Sequence, residues 1–163
     1  MPMERFFEVV GQVSTADSLA SLQAAIRSCA RQLIGADGVA LVLRDGNLCF
    51  YAEEDAIAPL WKGKRFPMGR CISGWSMLHG EMAVIPDIYR DPRIPHEAYR
   101  PTFVKSLAMA PAPQYKPVAA IGAYWAKEHQ ANWAEQSALQ ALANLAGGVL
   151  HNLQHYERLR AIA

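Results

Sequence analysis

The stretch from Phe66 to Pro111, FPMGRCISGWSMLHGEMAVIPDIYRDPRIPHEAYRPTFVKSLAMAP, restricts the folds open to this chain more than any other. Pro92, Pro95 and Pro101 forbid a long helix there, since proline lacks a backbone N–H and clashes with the preceding turn. The stretch is nevertheless rich in Trp, Tyr, Phe, Met and Ile, so it has the apolar surface that a solvated linker lacks. It reads as irregular structure packed on something flat, the wall of a pocket. Within it, Ile72, Trp75 (or Ser76) and His79 fit a short helix closed by Gly80. MAVIP, residues 82–86, fits a strand ended by its proline, and about two helical turns fit between His96 and Lys105.

On the N-terminal side, residues 4–13 form a short amphipathic helix, and Asp17 or Ser18 can cap a second one. Leu19, Leu22, Ile26, Cys29 and Leu33 recur three and four apart, an apolar stripe on a helix that Gly35 ends. VALVL, residues 39–43, is a strand covered on both faces. Asp45-Gly46 suits a tight hairpin turn with positive φ at both central positions, and residues 48–52 form the partner strand. Residues 53–64 show no sustained period and read as a loop with room for a short helix.

After the middle stretch, LAMAP and PVAAIGAYWA return as strands joined at residues 113–117. Asn132 is a good N-cap with Glu135 in capping-box position, opening a helix expected over about 132–160. Leu139, Leu142, Ala146, Val149, Leu153 and Tyr156 make a heptad-like seam along it. So long a helix overruns one small sheet, and its far turns are expected to pair with a second copy of the chain. Gly147-Gly148 would permit a close backbone approach. Helices at both ends around a meander of strands predict an α+β fold: a mostly antiparallel sheet with terminal helices on one face and short helices enclosing a pocket on the other.

Composition narrows the functional class. The chain has 163 residues, 52% of them apolar, as expected for one domain with a real core. Sixteen basic and 15 acidic residues give a formal charge of +1 without clusters, which offers nothing to nucleic acid or an anionic membrane. The apolar runs are too short or too interrupted to span a bilayer, and no signal-peptide core opens the chain. It reads as cytoplasmic. Cys29, Cys49 and Cys71 are odd in number and widely spaced, so neither a disulfide framework nor a zinc cluster is indicated.

The element order, with VIPDI, SLAMAP, IGAYWA and the capped ANWAEQ, resembles the GAF domain family over roughly residues 17–155, and most closely the GAF sensors of bacterial two-component histidine kinases. The resemblance implies an antiparallel sheet, a small-molecule pocket on one face, terminal helices on the other and frequent dimerisation through them. It also implies a regulatory, non-enzymatic role, the chain being the sensor of a longer kinase. The positions expected to serve an unidentified ligand are Arg70, Cys71, Trp75, His79, Asp87, Tyr99, Phe103, Ser106, Met109 and Tyr124.

Other chemistries in the family fit less well. Thr102-Phe103-Val104-Lys105 offers no Cys where phytochrome-like domains attach a bilin, which argues against covalent bilin. His79 is the one histidine placed to meet a haem; His151 and His155 share a helix face, but Asn152 stands where a zinc protease needs its Glu. Free methionine sulfoxide reductases of this fold need a nucleophilic and a resolving cysteine, and Cys71 has no partner near it in sequence. Gly69 to Gly74 is not a G-x-S-x-G elbow. Asp87, after a strand-ending proline, can equally cap the next turn. A ligand-free dimerising relay remains the second reading.

Overall fold

The computed structural model describes residues 3–162. Six strands, β1 (Gly38–Asp45), β2 (Leu48–Ala56), β3 (Arg65–Pro67), β4 (Ala83–Ile85), β5 (Ser106–Ala112) and β6 (Ala119–Trp125), form one sheet in the order β3-β2-β1-β6-β5-β4. Every neighbouring pair is antiparallel. The helices are α1 (Met3–Ser14), α2 (Leu19–Ile34), α3 (Ile72–His79), α4 (His96–Tyr99) and α5 (Trp133–Ile162).

The strands alternate, and the alternation sorts side chains into two cores. Val39, Leu41, Ala108, Ala110, Ile121 and Ala123 face α1, α2 and α5. Ala40, Val42, Cys49, Tyr51, Leu107, Met109 and Tyr124 face α3, α4 and the loops. The terminal helices therefore share one face and the proline-broken stretch covers the other. Small residues on the first face, notably Ala108, Ala110, Ala112 and Ala119, let α5 lie close. Gly147 shows how close: a Cβ there would sit 2.1 Å from Pro113 N. The close approach expected at Gly147-Gly148 is thus made to the chain's own β5–β6 turn, and Gly148 faces open space.

The caps behave as their chemistry requires. Ser18 accepts from Ser21 N–H in a capping box, and Gly35 ends α2 in the left-handed region at φ 77°. Asn132 and Glu135 exchange two 2.8 Å bonds at the start of α5. That helix, roughly 45 Å long at 1.5 Å per residue, buries Leu139, Leu142, Ala146 and Leu150. Beyond them its apolar stripe leaves the sheet: Tyr156 is 59% exposed and Leu159 53%.

Several local expectations are corrected. The β1–β2 turn has Gly46-Asn47 at its centre, closed by the Asp45–Leu48 pair, and only Gly46 has positive φ, as in a turn of the II′ kind. β2 runs on to Ala56 through a bulge at Ala52, where the partners of Leu41 and Val42 skip one residue. Residues 57–64 hold no helix, and β3 follows them. Leu19 is exposed, and Ala25, Ala30 and Ile34 complete the buried stripe of α2. α4 is a single turn, because Pro101 follows it. No helix among the described residues is long and apolar enough to cross a membrane.

Candidate functional site

The second face of the sheet is organised around Trp61, a residue of the loop that sequence periodicity left blank. Glu54, at the end of β2, accepts the N–H groups of Leu60, Trp61 and Lys62 at 2.8–3.0 Å, which turns the loop back over the sheet. Beside it, buried Glu53 pairs with Lys62 and Arg27, each at 2.8 Å. Trp61 then donates its indole N–H to the Ala98 carbonyl at 2.9 Å. Its ring meets Tyr99 at 4.6 Å, Tyr124 at 5.4 Å and Tyr51 at 5.5 Å between centroids. Gly122 makes room beneath, since a Cβ there would lie 2.5 Å from the Tyr124 hydroxyl.

This aromatic cluster occupies the space where a pocket was expected. What remains is a cavity of ≈ 10 Å³ lined by Tyr51, Trp61, Phe66, Cys71, Ala98 and Tyr99, room for about one water. Its outer rim, Phe66, Pro95 and Ala98, is half-buried. Tyr99 lies in the wall and Tyr124 against Trp61, both fully enclosed, and neither hydroxyl has a hydrogen-bond partner among the described residues. Burial pushes both phenols well above their usual range. The Tyr51 hydroxyl, by contrast, pairs with Ser73 Oγ at 3.1 Å.

Cys71 is the N-cap of α3, which starts so close to the 3-10 turn Met68–Arg70 that a Cβ on Gly74 would lie 1.8 Å from Met68 O. Its Sγ is 3.2 Å from Cys49 Sγ on β2 and 3.3 Å from Ser73 Oγ, and Cys49 Sγ is 3.2 Å from Met68 Sδ. Cys71 lacks a partner in sequence but has one in space. The Cys49 thiol, then Ser73 Oγ and the backbone N–H groups of Gly74 and Ser73, bring the Cys71 pKa down to about 6 against the opposing effect of burial. Cys49, bonded to that thiolate and buried, is pushed the other way. A helix N-terminus favours a thiolate, so of the two sulfurs Cys71 is the one whose surroundings favour the charged form. Cys29 is half-buried on α2, far along the other face, and donates to Ala25 O at 2.8 Å.

Of the ten residues expected to serve a ligand, Cys71 and Tyr99 line the cavity, and Tyr124 and Met109 form the buried floor. The others are elsewhere. Arg70 is exposed. Trp75 is half-buried on the outside of α3, between His79, stacked at 4.5 Å, and the Arg93 guanidinium at 4.4 Å. His79 Nδ1 donates to Trp75 O at 2.8 Å. Asp87 caps the turn at Ile88–Arg90 through Tyr89 N–H and pairs with Lys105 at 3.2 Å, the capping role its position allowed. Phe103 covers Gly38, its Cζ 3.0 Å from where a Cβ would stand. Ser106 shares strand parity with Ala108 and so lies on the terminal-helix face, where it donates to Lys127 O at 2.7 Å.

Cys49, Tyr51, Trp61 and Phe66 are the site residues that sequence reading missed. The position of Cys49 two residues before Tyr51 was the one available signal, since both must share a face of β2. His151 Nε2 donates to the Lys116 carbonyl at 3.1 Å, and no group of three metal-ligating side chains gathers among the described residues.

The sequence profile of the GAF domain family matches residues 16–151. No curated protein matches the chain in sequence. Among solved structures it is similar to the GAF domain of a phosphoenolpyruvate-protein phosphotransferase from Acinetobacter, with TM-score 0.81, 12% identity and 96% of each chain covered. It is also similar to free methionine-R-sulfoxide reductase from Neisseria meningitidis, solved in complex with its substrate, with TM-score 0.79 and 17% identity over 94% of this chain and 90% of that one. A third is the chromophore-binding domain of an unusual bacteriophytochrome from R. palustris, with TM-score 0.75 and 13% identity over 94% of this chain and 61% of that one. Identities this low carry the fold alone.

Proposed function

The chain belongs to the GAF domain family, and on that premise we propose that it is a non-catalytic input domain that takes a small molecule between its sheet and the Trp61–Tyr99 wall. The observation that carries this reading is the pair of enclosed tyrosine hydroxyls without partners. A buried hydroxyl left unpaired costs about 1–3 kcal/mol, a cost that a ligand with hydrogen-bonding groups would remove on entry. On this reading the structure, with only ≈ 10 Å³ of cavity, is a closed form. Opening it means swinging the Trp61 loop away from α4, with the Trp61 Nε1 to Ala98 O bond as the latch.

Occupancy would be relayed through the sheet to α1 and α5, by no more than the ligand's difference in affinity between the two arrangements. The exposed stripe of α5, Tyr156 and Leu159 with half-buried Leu153, supports pairing with a second copy. The output we propose is a histidine kinase of a cytoplasmic two-component system. No tetrapyrrole is proposed, because residues 102–105 carry no thiol and His79 Nδ1 is engaged at Trp75.

A thermal-shift screen under reducing conditions, against nucleotides and small polar metabolites, tests the reading. A ligand of the native state must raise the midpoint, by an amount that grows with its concentration. If none does, while the chain still self-associates, the domain is a ligand-free relay. A second reading, sulfoxide reduction, gains from the Cys49–Cys71 pair, but the present cavity would have to open far to admit a methionine sulfoxide. Turnover of free methionine sulfoxide, abolished in Cys71→Ser, would establish it.

A further inference from the structure

Two thiols 3.2 Å apart, one of them in the wall of a cavity the size of a water molecule, form a unit on which the ligand reading does not depend. We propose that Cys49 and Cys71 are a peroxide-reactive dithiol that closes reversibly to an intramolecular disulfide. The inference goes beyond the ligand reading and stands without it.

The surroundings assign the two sulfurs different roles. Cys71 sits at the N-terminus of α3 with Ser73 Oγ at 3.3 Å, so it is the sulfur held as thiolate and the one facing the cavity. Cys49 is fully buried on β2, held between Cys71 and Met68, and is the sulfur kept as thiol. In this closed form access favours a small oxidant: Cys71 is 5% exposed, and the half-buried rim of Phe66, Pro95 and Ala98 leads to a space of only ≈ 10 Å³, so dithiothreitol and dimedone act more slowly, as the rim opens.

The chemistry balances in two steps. The Cys71 thiolate attacks one peroxide oxygen, the O–O bond breaks, and the departing hydroxide takes a proton to become water, leaving Cys71 as the sulfenic acid. Cys49 then attacks that sulfur. The S–S bond forms as the S–O bond breaks, and the leaving hydroxide carries away the Cys49 proton as a second water. Each thiol loses one electron and the peroxide gains two. A dithiol such as dithiothreitol, or a cellular equivalent, returns the pair by thiol–disulfide exchange.

Closing 3.2 Å to the roughly 2.05 Å of a disulfide draws the two sulfurs together by about 1.2 Å. The backbone of α3 is not free to make that movement alone. Gly74 lies against the Met68 backbone with no room for a Cβ, and Ser76 Oγ bonds the carbonyls of Glu81 and Met109, so α3 is fastened to the 3-10 turn behind it and to β5 beneath it. Oxidation would thus tighten the start of α3 onto β2 and remove the thiolate from Ser73 and, through Ser73, from Tyr51.

The full chain, purified reduced, is treated with equimolar hydrogen peroxide at pH 7, quenched by alkylation and mapped by peptide mass spectrometry, with Cys29 as the internal reference. The expected result is a single intramolecular Cys49–Cys71 disulfide, formed on the order of ten-fold faster than any oxidation of Cys29 and reversed by dithiothreitol. Cys49→Ser should leave a Cys71 sulfenic acid that dimedone traps, and Cys71→Ser should leave Cys49 reduced. The mapping of the unaltered chain decides the matter even where a variant misfolds. If Cys29 reacts first, if cross-links join separate chains, or if Cys49 and Cys71 stay reduced until urea is added, the proposal is overturned. Because the ligand screen is run under reductant, failure of one leaves the other standing.

Discussion

Removing a hydroxyl from Tyr99 or Tyr124 should make the unliganded protein more stable, against the usual direction of Tyr→Phe changes in a core. Each phenolic oxygen is enclosed without a partner, so its loss returns about 1–3 kcal/mol of desolvation cost. The rings stay where they are, against Trp61 at 4.6 and 5.4 Å, so their packing is retained. The void left by one oxygen takes back only a few tenths of a kcal/mol at about 24 cal/mol per Å³. Tyr99→Phe and Tyr124→Phe are therefore expected to gain about 1–2 kcal/mol each, or roughly 2–8 °C in midpoint for a chain of this size. Both touch Trp61, so the double variant should depart from additivity. Tyr51→Phe is the internal control: its hydroxyl is bonded to Ser73 Oγ at 3.1 Å, and losing that bond should cost about 0.5–1.5 kcal/mol. Urea denaturation with a common slope measures all three. If Tyr99→Phe and Tyr124→Phe destabilise as Tyr51→Phe does, the hydroxyls are satisfied, and the physical case for a polar ligand at this wall is lost.

Adjacent glycines of α5 should respond with opposite signs: Gly148→Ala gains about 0.5–1 kcal/mol of helix propensity in open space, whereas Gly147→Ala drives a Cβ to within 2.1 Å of Pro113 N and should cost about 3 kcal/mol or more. Asn132→Ala removes the acceptor of Glu135 N–H and is expected to lose about 1 kcal/mol in the same denaturation assay. The ultraviolet thiolate absorbance that Cys71→Ser removes should rise with a midpoint near pH 6, not near 9; because the folded pKa is the lower one, the stability it contributes grows as pH rises from about 6 towards 9 and is absent below that window. A midpoint at or above 9 would contradict this. Sedimentation of the wild-type chain should give a dimer, and Leu153→Glu combined with Tyr156→Glu a monomer; a dimer that survives both changes does not use the end of α5.

Much of the architecture is local information. Ser18, Gly35, Gly80 and Asn132 act within four residues of where they stand, so the ends of α2 and α3 and the start of α5 could be read directly. The short, continuously apolar runs LAMAP and AAIGAYWA read as strands, and β5 and β6 are buried along their whole length. The site was less legible. Ser106 is one residue out of phase with Leu107, which moved it to the opposite face, and Trp75 proved to be the outward side of a helix whose inward side is Ile72 and Ser76.

What the chain alone determined, then, is most of the elements, β3 excepted, and the fact that a proline-broken apolar stretch must cover one face of a sheet, since periodicity, caps and turn residues act over a few positions. Only the tertiary structure decided what occupies that face. Trp61 reaches the centre because Glu54 gathers three backbone N–H groups, and Cys49 meets Cys71 across 22 residues because β2 passes beneath the start of α3. Contacts between strands and loops distant in sequence leave no period behind, and whether a wall encloses a cavity or fills it depends on the volumes of side chains that meet only in the folded protein.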